Sequence, residues 1–258
     1  MPGKVHRAVA RRRTVEFAVG DKRYFIKIHF GCGWREIFKE WLQGRLPVLS
    51  ARCEWRAIER LNVLRIPTLN VVGKGLRGWN PARLESFVIT EALEGMQTLE
   101  DLVIGWVGLK TNQRVQLKRL LIQKTAAIVR SLHINGLNHR DCYLCHFMVH
   151  DRDWSQWQPE EPLKVYLIDL HRVQIRSQVP RRWSIKDLGS LLFSALDCGL
   201  TSRDLLRFIE AYEDRHWRLS LQERPQFWRD VLQRSINLYK EATGQSPQLP
   251  GWIANIDF

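Results

Sequence analysis

The 258-residue sequence contains no apolar run close to the roughly 18 consecutive residues that a bilayer-spanning helix requires. Its N-terminus has the basic residues Lys4, Arg7 and Arg11–Arg13 but no apolar segment behind them, so it does not resemble a secretory signal. From these two absences we expect a cytoplasmic protein. Peripheral contact with a membrane surface stays compatible with both.

The cysteine pattern offers neither a disulfide framework nor a structural zinc site. An odd number of cysteines in a chain of this size favours reduced thiols. The segment Cys142–His146 has the spacing of a covalent haem attachment motif, but attachment requires export to an oxidising compartment and no export signal is present. No second cysteine pair lies at zinc-ribbon spacing. We interpret all five as reduced thiols, namely Cys32, Cys53, Cys142, Cys145 and Cys198.

Acidic residues are few beside basic ones. The chain has 40 Lys and Arg against 27 Asp and Glu, a formal net charge of +13. Such an excess attracts polyanions, which include nucleic acid, phosphorylated lipid head groups, nucleotides and acidic proteins. The apolar fraction of 45% is typical of a globular chain, and the length suits one large domain or a compact two-lobed one.

The N-terminal third alternates extended segments with one amphipathic helix. Gly20-Asp21 is a tight-turn dipeptide between two of the extended segments, and the first three should form a three-stranded antiparallel sheet. A helix should begin at the N-cap Ser50 and end before Pro67, because apolar residues recur there at helical spacing. The predicted extended segments are residues 4–9, 14–19, 24–29, 68–73 and 86–90.

After Glu91 the pattern becomes mainly helical. Apolar positions between Leu117 and Leu132 predict a long helix, and Thr201 with Asp204 forms a capping-box pattern ahead of a later one. We therefore divide the chain into an N-lobe, residues 1–93, with an antiparallel sheet and one helix, and a helical C-lobe, residues 94–258. The other predicted elements of the C-lobe are strands 147–149 and 165–169 and helices 184–196, 203–212 and 227–241.

The tripeptide His139-Arg140-Asp141 follows the long helix and resembles the catalytic loop of the protein-kinase superfamily. Alone it is weak support, because Asp141 is also a common turn residue. Asp169 follows 28 residues later at the end of an apolar strand, where that superfamily places a metal-binding Asp. The order and element types of these residues predict an α+β, protein-kinase-like bilobal fold with a small β-rich N-lobe and a larger helical C-lobe.

Two residues upstream complete the pattern. Lys27 lies near the end of the third strand and Glu54 lies on the helix that follows. Taken singly, each is more often an exposed surface residue. In a kinase, a strand Lys contacts the α and β phosphates of ATP, and an ion pair with a Glu keeps its ammonium group oriented.

The carboxylates supply the remaining chemistry. Phosphoryl transfer requires the γ-phosphate to be held in line with the acceptor and its charge to be neutralised. Asp169 would hold Mg²⁺, a hard cation that prefers carboxylate oxygens. Asp141 would orient the acceptor hydroxyl and take its proton, a role worth roughly 10² to 10⁴ in rate. The expected cofactors are ATP and Mg²⁺.

Longer segments resemble the lipopolysaccharide core heptose(I) kinase family over essentially the whole chain. The resemblance implies transfer of the γ-phosphate of ATP to the first heptose of the inner core, on a lipid-linked acceptor at the cytoplasmic face of the inner membrane. The segments that carry it are residues 24–29, 46–52, 54–55, 138–147, 168–172, 181–188 and 193–197.

The resemblance also implies roles for individual residues. Asp141 would be the catalytic base, Asp169 the metal ligand, and Lys27 with Glu54 the nucleotide-orienting pair. Glu91 and Leu93 would lie at the hinge and meet the adenine through backbone groups. His139, Arg140 and Asp187 would support the catalytic loop, with Asp187 accepting hydrogen bonds from its backbone.

Two features depart from ordinary protein kinases. No Gly-rich phosphate loop precedes Lys27, and the turn between the first two strands is Ala10–Arg13, so we expect arginines, Arg12 among them, to contact the nucleotide phosphates. His146 stands where an Asn normally holds a second metal. Because imidazole binds Mg²⁺ poorly, His146 would either be a weak metal ligand or orient Asp141.

The resemblance names a phosphorylated, acidic glycolipid as the acceptor, which fits the basic excess. An acidic protein partner would be attracted by the same field, and no nucleic-acid motif is present, so nucleic acid is not expected. The alternatives are a kinase for another core sugar, such as heptose(II) or 3-deoxy-manno-octulosonic acid, an aminoglycoside-type kinase, or a pseudokinase that acts as a binding module. The further alternative, a nucleic-acid-binding protein, is supported by the net charge alone.

Overall fold

The computed structural model describes residues 4–9, 12–42, 50–105, 111–151 and 162–249. The chain divides into two compact units, Met1–Glu94 with Asp169–Val173 and Gly95–Ile168 with Gln174–Phe258. The predicted division at residue 93 placed the short segment Asp169–Val173 in the C-lobe. In the structure this segment belongs to the first unit, because its turn packs against a helix of that unit. The assignment of the units as kinase lobes stays a prediction.

The first unit is built on one antiparallel sheet. The three N-terminal strands pair as predicted, and β2 and β3 are joined by a two-residue turn in which Gly20 has φ 60°, a conformation that favours glycine. The sheet has five strands rather than the predicted three, because two later strands extend it beyond β3. The strand order is β1-β2-β3-β5-β4. The strands are β1 Lys4–Val9, β2 Arg12–Val19, β3 Lys22–His29, β4 Val71–Arg77 and β5 Glu85–Glu91.

Strand β4 extends past Gly75, where the sequence predicted a turn-rich stretch. A Cβ atom at Gly75 would lie 2.3 Å from the ring of Phe87 on β5, so this glycine makes room for a neighbouring ring within the sheet. Its presence therefore marks a close approach and not a turn.

Two helices accompany the sheet, α1 Gly33–Leu42 and α2 Arg52–Val63. Helix α2 was predicted and buries Ala57, Ile58 and Leu61 at helical spacing, although its N-cap is Ala51 and not Ser50. Helix α1 was missed, so the prediction of a single helix in this region was wrong. Its signal was present in the aromatic positions 34, 38 and 41 around the buried Ile37.

The second unit contains two small sheets. One has the order β6-β8-β9 and the other pairs β7 with β10. Gly136, just before β7, has φ 79°, and a Cβ there would lie 2.0 Å from the backbone oxygen of Arg176, so only glycine fits. The predicted strand 165–169 is shorter than expected, because Asp169 leaves it in a left-handed conformation. The strands are β6 Met96–Thr98, β7 Leu137–Asn138, β8 Phe147–His150, β9 Tyr166–Leu167 and β10 Gln174–Ile175.

Helices form the rest of the second unit. The predicted long helix and the three predicted C-terminal helices are confirmed. Two further helices of seven residues each were not predicted, because they are too short to show a clear helical period in the sequence. Helix α4 packs on α6, and α5 packs on α8. Among the described residues, no helix is both long and apolar enough to cross a bilayer. The helices are α3 Leu99–Gly105, α4 Thr111–Ile134, α5 Arg181–Ala195, α6 Ser202–Glu213, α7 Trp217–Glu223 and α8 Pro225–Thr243.

Candidate active site

The structure brings Lys27 and Glu54 together in the first unit. The Nζ atom of Lys27 on β3 donates to Oε1 of Glu54, in the first turn of α2, at 2.5 Å. The Glu54 side chain is fully buried and that of Lys27 is 15% exposed. A buried carboxylate is tolerated only beside a countercharge, so the pair fixes the position of the Lys27 ammonium group.

Arg12 and His29 lie opposite each other on β2 and β3. His29 is two residues past Lys27, so both side chains lie on the same face of β3. Desolvation, then the charges of Arg12, His171 and Lys27, lower the pKa of His29 to about 4. Arg12 Nε and His29 Nε2 are buried and have no hydrogen-bond partner among the described residues. This edge of the first unit is therefore rich in positive charge and in unused hydrogen-bonding atoms.

Asp169 lies on a short turn in the same unit. Its backbone has φ 58° and ψ 49°, a left-handed conformation that costs a non-glycine residue roughly 1 kcal/mol or more. The turn Leu170–Arg172 that follows packs against α2, the helix of Glu54. His171 Nδ1 lies 2.5 Å from Asp169 Oδ1, so the imidazole holds this carboxylate in one orientation.

Glu91 ends β5 and Leu93 follows two residues later. A hydrogen bond from Asn70, partly opposed by desolvation and helped by Lys22, lowers the pKa of the Glu91 carboxyl. The Glu91 backbone N–H donates to Asn70 O at 3.0 Å, which ties the end of β5 to the chain ahead of β4.

In the second unit, Asp187 on α5 fixes the backbone of the tripeptide His139-Arg140-Asp141. Its Oδ2 accepts from the N–H of His139 at 2.6 Å and its Oδ1 from the N–H of Arg140 at 2.8 Å. His133 Nε2 of α4 lies 3.3 Å from Oδ2, and His133 Nδ1 lies 2.8 Å from the Tyr212 hydroxyl. Asp187 is 1% exposed, so this network is buried and rigid.

Asp141 is followed by a turn that His146 closes. His146 Nδ1 lies 2.7 Å from the backbone oxygen of Asp141, and since a carbonyl only accepts, Nδ1 must carry the hydrogen. His139 Nε2 lies 3.0 Å from Ile168 O, and the rings of His139 and His146 stack with centroids 5.7 Å apart. The loop shape around Asp141 therefore depends on both histidines.

Among the described residues, no group of three or more His, Cys, Asp and Glu side chains lies close enough to enclose a metal ion. Mg²⁺ in kinases is held by one or two carboxylates together with substrate phosphates and water, so a single Asp169 suits that metal. Burial, with the nearby carboxylates of Asp187 and Asp141, raises the pKa of the Cys142 thiol. A thiol of this kind is a poor nucleophile and a poor metal ligand.

Three residues of these sites were not identified as functional from the sequence. His29 shares the strand face of Lys27, and His171 follows Asp169 by two residues, so their spacing was the available signal. Trp183 sits among four cationic side chains, two of which, Arg140 and Arg176, come from other segments, and only the folded chain reveals that grouping.

Comparison with known proteins identifies the family of the chain. A sequence profile of the lipopolysaccharide kinase (Kdo/WaaP) family matches residues 1–212. The chain is 45% identical over 210 residues to the lipopolysaccharide core heptose(I) kinase WaaP of Escherichia coli K12, covering 81% of this chain and 77% of that protein. It is 46% identical over 213 residues to WaaP of Pseudomonas aeruginosa PAO1, covering 82% and 77%.

Two solved structures resemble the fold. WaaP in complex with acyl carrier protein matches with a TM-score of 0.76 and 37% identity, over 93% of this chain and 90% of that one. The ADP/Mg²⁺-phosphoaspartate complex of Rio2 kinase from Chaetomium thermophilum matches with a TM-score of 0.50 and 13% identity, over 93% and 70%, a likeness of fold alone. The chain therefore has a protein-kinase-like fold and belongs to the lipopolysaccharide kinase (Kdo/WaaP) family.

Proposed function

We propose that this protein is an ATP-dependent kinase that phosphorylates the first heptose of the lipopolysaccharide inner core. The observation that carries the proposal is the 45–46% identity with heptose(I) kinases over more than four fifths of the chain. The paired Lys27 and Glu54 and the catalytic loop fixed by Asp187 support a kinase that is active and not a binding module alone.

In the first unit, Lys27 is assigned to the α and β phosphates of ATP, and Glu54 holds its ammonium group. Arg12 adds a guanidinium that can bind a phosphate oxygen where no Gly-rich loop supplies amides. Glu91 and Leu93 are assigned to the adenine through backbone groups. The unused Arg12 Nε supports this assignment because it is a buried donor that lacks an acceptor among the described residues.

Asp141 is assigned as the catalytic base, which orients the acceptor hydroxyl and takes its proton. His139, Arg140 and Asp187 hold the backbone on which Asp141 depends. Asp169 would hold Mg²⁺, which when bound neutralises charge on the phosphates. His171 keeps one Asp169 oxygen in place, which orients the carboxylate that would hold the metal.

His146 is assigned as a residue that orients Asp141, with metal binding as the weaker alternative. Its Nδ1 is used by the Asp141 carbonyl, an arrangement that shapes the loop directly. The Nε2 atom carries the lone pair in that tautomer, which keeps ligation chemically open.

The proposal is tested by incubating the purified protein with Mg-ATP and truncated core glycolipid that ends at the inner heptoses. We expect phosphate on the first heptose, and its loss by a factor of about 10² or more in Asp141→Asn. Phosphate on the second heptose or on 3-deoxy-manno-octulosonic acid would contradict the assigned acceptor. No incorporation by the wild type would indicate a pseudokinase.

The role of Arg12 is tested separately from the acceptor. Arg12→Ala should raise the KM for ATP by about tenfold and leave the KM for glycolipid unchanged, because only a phosphate contact is lost. Arg23→Ala is a suitable control, since Arg23 is an exposed arginine that pairs with Glu94 and with half-buried Glu16. Ala10 and Arg11 lie outside the described residues.

Peripheral attachment to the cytoplasmic face of the inner membrane is part of the proposal. Trp34, Phe38 and Trp41 form an exposed aromatic row on α1, with successive ring centroids 6.0 and 5.7 Å apart. Basic Arg35 and Lys39 lie on the same helix. The helix also carries two acidic residues, so the exposed rings suit a bilayer interface while the net charge of +13 would supply the attraction to an anionic one.

We also propose an acyl carrier protein as the acidic partner, in parallel with the WaaP complex. The second unit encloses an apolar cavity of about 150 Å³, the volume of a cavity that holds benzene. Its lining includes Leu121, Leu188, Leu191, Phe208, Trp228 and Val231. A space of this size accommodates about six carbon atoms, so it would receive only the end of a fatty acyl chain.

Filling this cavity tests the acyl contact. Leu191→Trp should abolish co-elution with acylated acyl carrier protein, while Leu219→Trp, at an exposed leucine of α7, should not. Unchanged co-elution of a folded Leu191→Trp would show that the cavity does not receive the chain.

A further inference from the structure

Four cationic side chains surround the indole of Trp183 in the second unit. The cationic centres of Arg140, Arg182 and Lys186 each lie 5.5 Å from the Trp183 ring centroid, and that of Arg176 lies 5.9 Å away. We call these five residues the Trp183 cluster. They come from three segments, because Arg140 belongs to the catalytic loop, Arg176 follows β10, and the others lie in the first two turns of α5.

This concentration of positive charge favours the binding of an anion. Like charges separated by less than a Debye length of about 8 to 10 Å repel one another, and the ring face offsets only part of that. The N-terminus of α5 adds a partial positive charge, so arginines in its first turn are placed against the helix dipole. The nearby Asp187 is already bonded to the catalytic-loop backbone, and Asp230 pairs with Arg181.

The cluster also holds hydrogen-bond donors that lack acceptors. The Nε atom of Arg176 and the Nε1 atom of Trp183 are buried and have no partner among the described residues. Both groups are hydrogen-bond donors only, so a ligand that binds them must offer hydrogen-bond acceptors. An oxyanion meets the charge and the hydrogen-bonding requirement together, whereas a metal ion or an apolar group meets neither.

Arg140 connects the cluster to the chemistry. It is 5% exposed and has φ 72°, a strained conformation for an arginine, and Asp187 holds its backbone N–H. The next residue is Asp141, the assigned base. An anion bound at Arg140 is therefore held one residue along the chain from the group that activates the acceptor hydroxyl.

We propose that the Trp183 cluster binds an anionic group of the acceptor glycolipid, either a sugar carboxylate or a lipid phosphate. This proposal rests on the proposed function and extends it, because it names the residues that position the acceptor. The cluster determines specificity: it favours an acceptor that presents a negative group beside the phosphorylated sugar.

Arg182 and Arg181 allow a matched test, because they are adjacent exposed arginines in the first turn of the same helix. Arg181 is bound to Asp230 and lies over Phe227, outside the cluster. Arg182→Ala should raise the KM for truncated core glycolipid about tenfold, with kcat and the KM for ATP within twofold of the wild type. Arg182→Lys should recover part of the loss, and Arg181→Ala should behave as the wild type.

Lys186→Gln is a second variant that should also raise the KM for truncated core glycolipid. Equal glycolipid KM values for Arg182→Ala and Arg181→Ala, or a change in the KM for ATP alone, would overturn the proposal. Removing the lipid phosphates enzymatically from the glycolipid distinguishes the sources. If Arg182→Ala still raises the KM for the dephosphorylated glycolipid, the bound group is the sugar carboxylate. If Arg182→Ala no longer changes that KM, the bound group is the lipid phosphate.

Direct binding separates this proposal from the proposed function. The glycolipid in detergent micelles is titrated into Asp141→Asn and into Asp141→Asn with Arg182→Ala, without ATP. Weaker binding by the double variant supports the cluster even if the wild type transfers no phosphate. Equal binding excludes the cluster even if the kinase is active.

Discussion

The ion pair of Lys27 and Glu54 shows how burial converts an ordinary pair of residues into a fixed element of a site. Neither residue type is informative by itself on a strand or a helix. Glu54 has no solvent contact, and its carboxylate is stable only with the Lys27 ammonium beside it. The same contact holds the ammonium group of Lys27 in one position, which suits its proposed contact with the phosphates of ATP.

Lys27→Met should lower the free energy of unfolding by about 3 kcal/mol, because it leaves Glu54 buried without a countercharge. The double variant Lys27→Met, Glu54→Leu should recover most of this loss, and both should be inactive. Urea titration measures the difference. The control Lys74→Met breaks the Lys74–Glu59 pair, whose side chains are 47% and 52% exposed, and should cost less than about 1 kcal/mol. Equal costs would contradict the argument.

His29 predicts a pH dependence of stability. Its pKa is about 4 in the folded chain and near 6.5 when unfolded, so between these values the unfolded chain binds more protons. Stability is therefore full above about pH 6.5 and falls as the pH drops toward 4, by up to roughly 3 kcal/mol from this group. Unfolding titrations at several pH values should show a shallower acid loss in His29→Asn. An unchanged slope in that variant would exclude His29 as the cause.

At the scale of elements, helix ends explain which predictions succeeded. Thr201 and Asp204 form a reciprocal capping box at α6, and the sequence located that end correctly. Ser50 suggested a cap by residue type, yet the helix begins one residue later, with Ala51 as its N-cap. The Ser50 hydroxyl accepts from Arg52 N at 3.3 Å, a weaker contact than a true cap.

Thr201→Ala should destabilise the protein by about 1 kcal/mol, since the N–H of Asp204 loses its acceptor. Asp204→Ala should cost more, because Lys118 of α4, 2.6 Å from Asp204, also loses its partner. Burial opposes ionisation of Asp204, but bonds from Lys118 and Thr201 outweigh it and lower its pKa. Ser202→Ala, one residue away, is the control in thermal unfolding and should lie within about 0.5 kcal/mol of the wild type.

At the scale of the whole molecule, the net charge of +13 and the aromatic row on α1 predict binding to anionic vesicles. Raising the salt from about 0.1 M to about 1 M shortens the Debye length from about 10 Å to about 3 Å and should release most of the protein. A triple variant with serine at Trp34, Phe38 and Trp41 should bind at least tenfold more weakly in vesicle sedimentation. Leu219→Ser is the control, and equal binding by all three proteins would contradict a role for α1.

The sequence alone determined the element types, the kinase-like order of Lys27, Glu54, Asp141 and Asp169, and the family. These depend on periodicity and on the order of residues, which are local properties. Helices α3 and α7 were not predicted from the sequence, because seven residues cover only two helical turns.

Only the tertiary structure decided which side chains share a partner. It set Arg12 opposite His29 and gathered four cations around Trp183 from segments up to 46 residues apart in sequence, Arg140 to Lys186. The physical reason is that burial and charge proximity are properties of packed surfaces. They arise when distant segments meet, and no local pattern records them.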